Sequence, residues 1–177
     1  MYAFDRDGVL AGKLGNFAAG HPKNYKGAEM PLIKEVLAKV PKNSIIISNQ
    51  AGIDRGYTTL EVVQAQFDWL MAQQPNFVGA FFCPDEGESC WYKVTKKINS
   101  IGYARGEWRK CDRSDRGGFR KPDTGMGRLA HHIVGEPITH YVGDLSGNPT
   151  YANGRDSDRQ FALNLGCEYL DVNDFLA

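Results

Sequence analysis

The stretch Tyr2-Ala3-Phe4-Asp5-Arg6-Asp7-Gly8-Val9-Leu10 decides how the rest of the chain is read. A short apolar run of strand type ends on two acids that flank an arginine, and a glycine follows. Residues two apart on an extended segment point to the same side, so Asp5 and Asp7 can converge on one phosphate group or metal ion. Gly8 tolerates positive φ and lets the chain leave the strand sharply. Taken alone, the same residues fit a solvated turn equally well, so the surrounding sequence has to decide.

Outward from this stretch, Ile45-Ile46-Ile47, Phe77 to Phe82 and Ile138 to Val142 also read as short buried strands ending at polar or Gly-bearing turns. Between them lie helical spacings. Ile33, Val36, Leu37 and Val40 predict a helix over 28–39. Leu60, Val63, Phe67 and Leu70 predict one over 58–71, with Thr58 or Thr59 as N-cap and Pro75 beyond its far end. Trp91, Val94, Ile98 and Ile101 suggest a third helix, 123–133 a fourth, and 156–165 a fifth closed by Gly166 in a C-cap position. Strands alternating with crossover helices give an α/β fold, a parallel sheet covered on both faces. The Gly- and Arg-rich segment 102–118 shows no periodicity and reads as a mobile loop. In such sheets a ligand sits outside the carboxyl ends of the strands.

The composition agrees with that class. The chain has 177 residues, 42% hydrophobic and 24% charged, and a length of roughly 100–200 residues usually means one domain. No apolar run approaches the ~18 residues of a membrane span, and no charged, then apolar, leader pattern occurs. Four cysteines in so long a chain do not make a disulfide framework. The expectation is a cytoplasmic single domain over 1–177, with a basic insertion at 88–118 and no membrane association. A monomer is the working expectation.

Each further strand end carries polar chemistry. After the second strand, Ser48-Asn49-Gln50-Ala51-Gly52 offers a hydroxyl and free backbone N–H groups, a cradle for phosphate oxygens. In Phe119-Arg120-Lys121-Pro122-Asp123-Thr124-Gly125, Lys121 precedes a proline suited to a first helical turn. Tyr141-Val142-Gly143-Asp144 places a carboxylate directly after the fourth strand. Each is an ordinary turn by itself; four in this order at strand ends make one strong signal.

DxDG, then Ser, then Lys, then Gly-Asp, spread over nearly the whole chain, resemble the haloacid dehalogenase superfamily of phosphotransferases. That resemblance implies a three-layer Rossmann-like fold with a central parallel sheet and a minimal cap. It implies Asp5 as the nucleophile that forms an aspartyl-phosphate, and Asp7 as the group that protonates the leaving oxygen and then activates water. Ser48 and Lys121 would hold the phosphoryl oxygens, and Asp144 would bind Mg²⁺ together with Asp5 and the Asp7 carbonyl. The physical requirements match. A carboxylate that attacks a phosphate dianion meets like-charge repulsion, which a divalent cation and a lysine offset, and Mg²⁺ takes hard oxygen ligands.

Within the superfamily, Asp5-Arg6-Asp7-Gly8-Val9-Leu10, Ser48 through Tyr57 and Arg120-Lys121-Pro122 are similar to two groups. One is the histidinol-phosphate and heptose-bisphosphate phosphatases; the other is the phosphatase domain of polynucleotide kinase 3′-phosphatase. Heptose enzymes usually carry paired zinc ligands before the Lys motif. Here Cys83, Cys90 and Cys111 are singly spaced with no histidine among them, and buried, inert cysteines are the favoured reading. Gly143 through Pro149, followed by Asp158-Arg159-Gln160-Phe161-Ala162-Leu163-Asn164-Leu165-Gly166, resembles the polynucleotide 3′-phosphatases, although Val9 replaces their more common threonine. Asp158 would then begin a helix aimed at the site and orient Lys121 or a metal-bound water, unless it is only a helix-dipole acid.

The total charge is zero, with 21 basic and 21 acidic residues, yet between Trp91 and Lys121 ten basic residues meet only three acids. Aromatic residues interleave with them. On the nucleic-acid resemblance, Asn49, Arg55, Arg109 and Arg120 are expected to bind substrate, while Trp91 and Trp108 stack a terminal base. The expected partners are nucleic-acid 3′ ends, otherwise a small phosphorylated metabolite of the histidinol-phosphate or heptose-bisphosphate type.

Overall fold

A strand built from Ile45, Ile46 and Ile47 has no side to show to water, so it must lie inside a sheet with cover on both faces. A computed structural model, which describes residues 1–16, 25–98, 106–113, 118–149, 152 and 154–177, supplies that cover. Its strands are β1 (Tyr2–Phe4), β2 (Ser44–Asn49), β3 (Phe77–Cys83), β4 (Ser89–Val94), β5 (Arg109–Asp112), β6 (His140–Gly143) and β7 (Glu168–Asp171). They form one seven-stranded sheet in the order β5-β4-β3-β2-β1-β6-β7. The pairs among β3, β2, β1, β6 and β7 are parallel; β4 and β5 run antiparallel at one edge.

The helices are α1 (Lys34–Leu37), α2 (Leu60–Gln73), α3 (Gly125–Val134), α4 (Ser157–Leu165) and α5 (Val172–Leu176). Strand alternation sorts the core into two halves. Phe4, Ile46 and Phe82 pack with Val36, Val63, Phe67, Leu70 and Val172 on one face. Ala3, Ile45, Ile47, Phe81 and Tyr141 pack with Met126, Leu129, Ala130 and Phe161 on the other. The result is the three-layer α/β/α arrangement expected of the sequence. Thr59 caps α2 by accepting the Val62 N–H at 3.2 Å, and Gly166 ends α4 in the left-handed conformation, φ 81°.

Three expectations are corrected, each for a physical reason. The helix proposed over Trp91, Val94, Ile98 and Ile101 is instead β4, which pairs antiparallel with β3 through Phe82↔Trp91 and Ala80↔Lys93; Ile101 lies outside the described residues. The segment 102–118 is not simply a loop, because β5 falls within it and pairs with β4 through Cys90↔Cys111. Residues 102–105 and 114–117 lie outside the described residues. The helix over 28–39 shrinks to α1, because Leu32 bridges Ala11 and the Ile33 N–H bonds the Leu10 carbonyl at 2.9 Å. Those contacts tie 30–33 to the turn after β1. Among the described residues no helix is long and apolar enough to cross a membrane.

Candidate active site

The strand order puts β2, β1 and β6 side by side, so their carboxyl ends deliver Ser48, Asp5 and Asp144 to one edge. Asp5 follows β1, whose exit is pinned by the Asp5 N–H bonding the Val142 carbonyl at 2.9 Å. Asp144 follows β6. Lys121 arrives from the opposite side of the chain order, in the turn before α3. All four side chains are buried: Asp5 is 6% exposed, Ser48 1%, Lys121 4% and Asp144 1%.

Lys121 is the hub. Its ammonium donates to Asp158 Oδ1 at 2.7 Å and to the Tyr141 hydroxyl, and it lies 3.2 Å from Asp5 Oδ1. Burial acts to depress the Lys121 pKa, but the charges of Asp158 and Asp5 outweigh it and hold the ammonium above its ordinary value. Asn49 fixes the backbone of this lysine: its Oδ1 accepts the Lys121 N–H at 2.8 Å and its Nδ2 donates to the Lys121 carbonyl at 3.1 Å. Asn49 thus positions Lys121. Asp158 is wholly buried, and both of its oxygens are in use, one on Lys121 and the other on the Leu145 N–H at 3.1 Å. The contact to Lys121 is the orienting role expected from sequence. Gly143 makes room for it, since a Cβ there would lie 2.6 Å from the Asp158 Cβ.

Asp5, Asp144 and Asp158 bring carboxylate oxygens within 4.8 Å of one another. Burial pushes the Asp5 carboxyl up to about 7, with Lys121 opposing and Asp158 and Asp7 adding to the shift. Burial likewise pushes Asp144 up to about 9, reinforced by Asp158 and Asp5. Asp144 Oδ1 is buried without a hydrogen-bond partner. An orphaned carboxylate oxygen beside a second buried carboxylate is what a hard divalent cation satisfies, so the residues fit a Mg²⁺ site. The Asp7 carboxylate is not part of this group; it is held by Arg6 and Gln50. Cys83, Cys90 and Cys111 are free thiols, and no second metal-compatible group occurs among the described residues. Burial pushes Cys83 up to about 12 and raises Cys90 well above its ordinary value, so neither is a ready thiolate.

The site opens into a cavity of about 370 Å³ whose walls include Asp5, Asp7, Asn49, Arg55, Arg120 and Arg155. Glu86 sits across Arg55 at 2.9 Å and Arg120 at 3.6 Å. Trp91, Trp108 and Arg109 do not line it. The Trp108 ring instead packs 5.4 Å from Phe82 and 6.3 Å from Phe67, and its N–H donates to Asp68 at 3.3 Å. Trp91 packs against the same core, and Arg109 pairs with Glu107 at 2.7 Å. Sequence reading missed Arg6, Gln50 and Gln66. The available signal was alternation, which puts Arg6 on the buried side of the strand, where a charge must find partners.

A buried Asp–Lys pair at the carboxyl edge of a parallel sheet, beside a carboxylate cluster suited to Mg²⁺, defines a phosphatase of the haloacid dehalogenase superfamily. More narrowly, the chain belongs to the family described as Polynucleotide kinase 3 phosphatase, whose model matches residues 1–176. No curated protein matches the chain. Among solved structures it is similar to D,D-heptose 1,7-bisphosphate phosphatase from B. bronchiseptica complexed with magnesium and phosphate. That match has TM-score 0.56 and 20% identity, and it covers 95% of this chain and 77% of the other. It is also similar to a protein described as a HAD-like phosphatase from Mesorhizobium loti, with TM-score 0.54 and 17% identity over 94% of this chain and 68% of that one.

Proposed function

We propose that the protein is a Mg²⁺-dependent phosphomonoesterase that removes the 3′-phosphate from nucleic-acid ends. The observation that carries the chemistry is the buried Asp5–Lys121 pair at 3.2 Å, with the orphaned Asp144 oxygen beside it. Asp5 Oδ1 accepts the Arg6 N–H at 2.8 Å and faces Lys121, which orients the carboxylate and leaves its other oxygen for attack on phosphorus. As the aspartyl-phosphate forms and the ester P–O bond breaks, Asp7 gives a proton to the departing oxygen. Asp7 then takes a proton from the water that cleaves the acyl phosphate, and inorganic phosphate and Asp5 are regenerated. Ser48 and Lys121 hold the phosphoryl oxygens. Bound through Asp5, Asp144 and the Asp7 carbonyl, Mg²⁺ would offset the charge of the phosphoryl group.

The choice of substrate rests on family membership over residues 1–176, and Arg55 and Arg120 at the cavity wall are the cations offered to the phosphodiester next to the scissile group. A second reading, a small bisphosphate or histidinol phosphate, is favoured by the cavity's modest size and by the fold's likeness to a heptose bisphosphate phosphatase. The test is phosphate release with Mg²⁺ from a 3′-phosphorylated oligonucleotide, its 5′-phosphorylated twin, histidinol phosphate and a heptose bisphosphate, with Asp5→Asn as blank. Preference for the 3′-phosphate is expected. Preference for either metabolite would replace the nucleic-acid reading with the second one.

A further inference from the structure

Arg6 lies between the two site acids and points the other way. It is 1% exposed, and its guanidinium sits 5.2 Å from the centroid of the Phe67 ring, on the core face that also holds Phe4. A guanidinium taken out of water must have its N–H groups matched. Arg6 Nε donates to Asp7 Oδ1 at 2.8 Å and Nη2 to Asp7 Oδ2 at 3.2 Å. Nη2 also donates to Gln50 Oε1 at 2.9 Å, and Nη1 to Gln66 Oε1 at 2.8 Å. Both glutamines are anchored in turn. Gln66, on α2, donates to the Gly27 carbonyl at 3.0 Å; Gln50 donates to Ser48 Oγ at 2.9 Å and to Asp7 Oδ2 at 3.0 Å.

A planar fork on both oxygens of a carboxylate fixes its rotation as well as its place. The count of donors also separates the two oxygens. Asp7 Oδ2 takes two, from Arg6 and Gln50, whereas Oδ1 takes one, from Arg6.

We propose that Arg6 is a positioning residue for Asp7: held by Gln66 and Gln50 and stacked on Phe67, it aims the Asp7 carboxyl so that Oδ1 is the oxygen that carries the proton to the leaving group. This rests on the reading of Asp7 as proton donor. Arg6 is too deeply buried to meet substrate and acts through Asp7. Lysine at this position would offer a point charge without the fork.

The test exploits leaving groups. An alkoxide leaving a 3′-phosphorylated oligonucleotide needs a proton, whereas the phenolate of p-nitrophenyl phosphate departs without one. With kcat/KM reporting the transfer to Asp5, Arg6→Lys is expected to lower the oligonucleotide value by about tenfold or more and the aryl value by less than about twofold. Asp7→Asn should show the same bias, and adding Arg6→Lys to it should cost nothing further. Equal losses on both substrates, or a further loss in the double variant, would overturn the assignment and leave Arg6 a merely structural residue. If Asp7→Asn itself shows no bias, Asp7 is not the donor, and the mechanism falls together with the inference. Should Arg6→Lys not fold, Gln66→Leu carries the test. A smaller bias of the same sign supports the assignment, and an unchanged ratio overturns it.

Discussion

Asp5 and Asp144 gain protons on folding, and that sets a pH dependence. Each starts from an ordinary value of 3.8, and the folded protein holds Asp5 at about 7 and Asp144 at about 9. Below pH ~4 both folded and unfolded chains carry these protons. Between that point and pH ~9 the folded state binds more protons than the unfolded one, so stability falls as pH rises. Metal-free protein should therefore melt at a lower temperature at pH 8.5 than at pH 5.5, and saturating Mg²⁺ should flatten the difference by binding the ionised carboxylates. Thermal denaturation in chelator and in Mg²⁺ checks this; a chelated protein that is more stable at pH 8.5 would contradict it. The same residues were the legible part of the site. Asp5, Ser48, Lys121 and Asp144 each stand at a strand end or a loop before a helix, where alternation and turn chemistry point to them. Arg6 is legible only through its alternation with Phe4, because an arginine inside an acidic turn otherwise looks solvated until α2 and Gln66 are seen to close over it. Asn49 lines the cavity, as a substrate-binding residue would, but its hold on the Lys121 backbone is not legible, because nothing local reveals a partner 72 residues away.

At the scale of elements, β4 and β5 separate pattern from pairing. Trp91 and Val94 are spaced for one face of a helix, whereas in the strand they pack on opposite faces of the sheet, and a short apolar window does not distinguish the two. What makes the strand is the partner: β3 offers Gly79 to Phe82 in register with Val94 to Trp91. Arg-Lys-Cys-Asp in β5 carries no strand pattern at all, and the hairpin with β4 defines it. The strands β1, β2 and β3, by contrast, were readable because burial on both faces demands continuous apolar runs. Trp108, one residue before β5, anchors this edge on Phe67 and Phe82. Trp108→Ala should destabilise the protein by ~2–3 kcal/mol, below the cost of a fully buried Trp because its ring is partly exposed, while leaving KM for an oligonucleotide within about twofold. Chemical denaturation and steady-state kinetics check the two halves. A large rise in KM at unchanged stability would restore the stacking role expected from sequence.

Across the whole molecule, folding redistributes the charge asymmetry. Lys93 pairs with Asp68, Arg113 with Glu88 and Arg120 with Glu86, and those acids all lie outside the basic window. Lys110 pairs with Asp112 and Arg109 with Glu107 inside it. A stretch that looks polyanion-directed in sequence thus has most of its described cations paired with carboxylates, while Lys96 reaches only the Asn43 amide oxygen, which a count of charges along the chain does not reveal. If only the cavity cations such as Arg55 and Arg120 meet the substrate backbone, log kcat/KM for a single-stranded 3′-phosphorylated oligonucleotide should fall with log salt at a slope of about −1 to −2. Measuring that slope from low to moderate salt decides the matter. A slope of about −4 or steeper would mean that a broad basic face tracks the strand.

The phosphoenzyme on Asp5 can be trapped by quenching the protein in acid during turnover of an oligonucleotide whose 3′-phosphate is radiolabelled, in the presence of Mg²⁺, and mapping the label. Label is expected on the peptide that carries Asp5, absent in Asp5→Asn and absent without Mg²⁺. Label on another peptide, or phosphate release from wild-type protein with no trapped phosphoenzyme and undiminished in Asp5→Asn, would contradict Asp5 as the nucleophile.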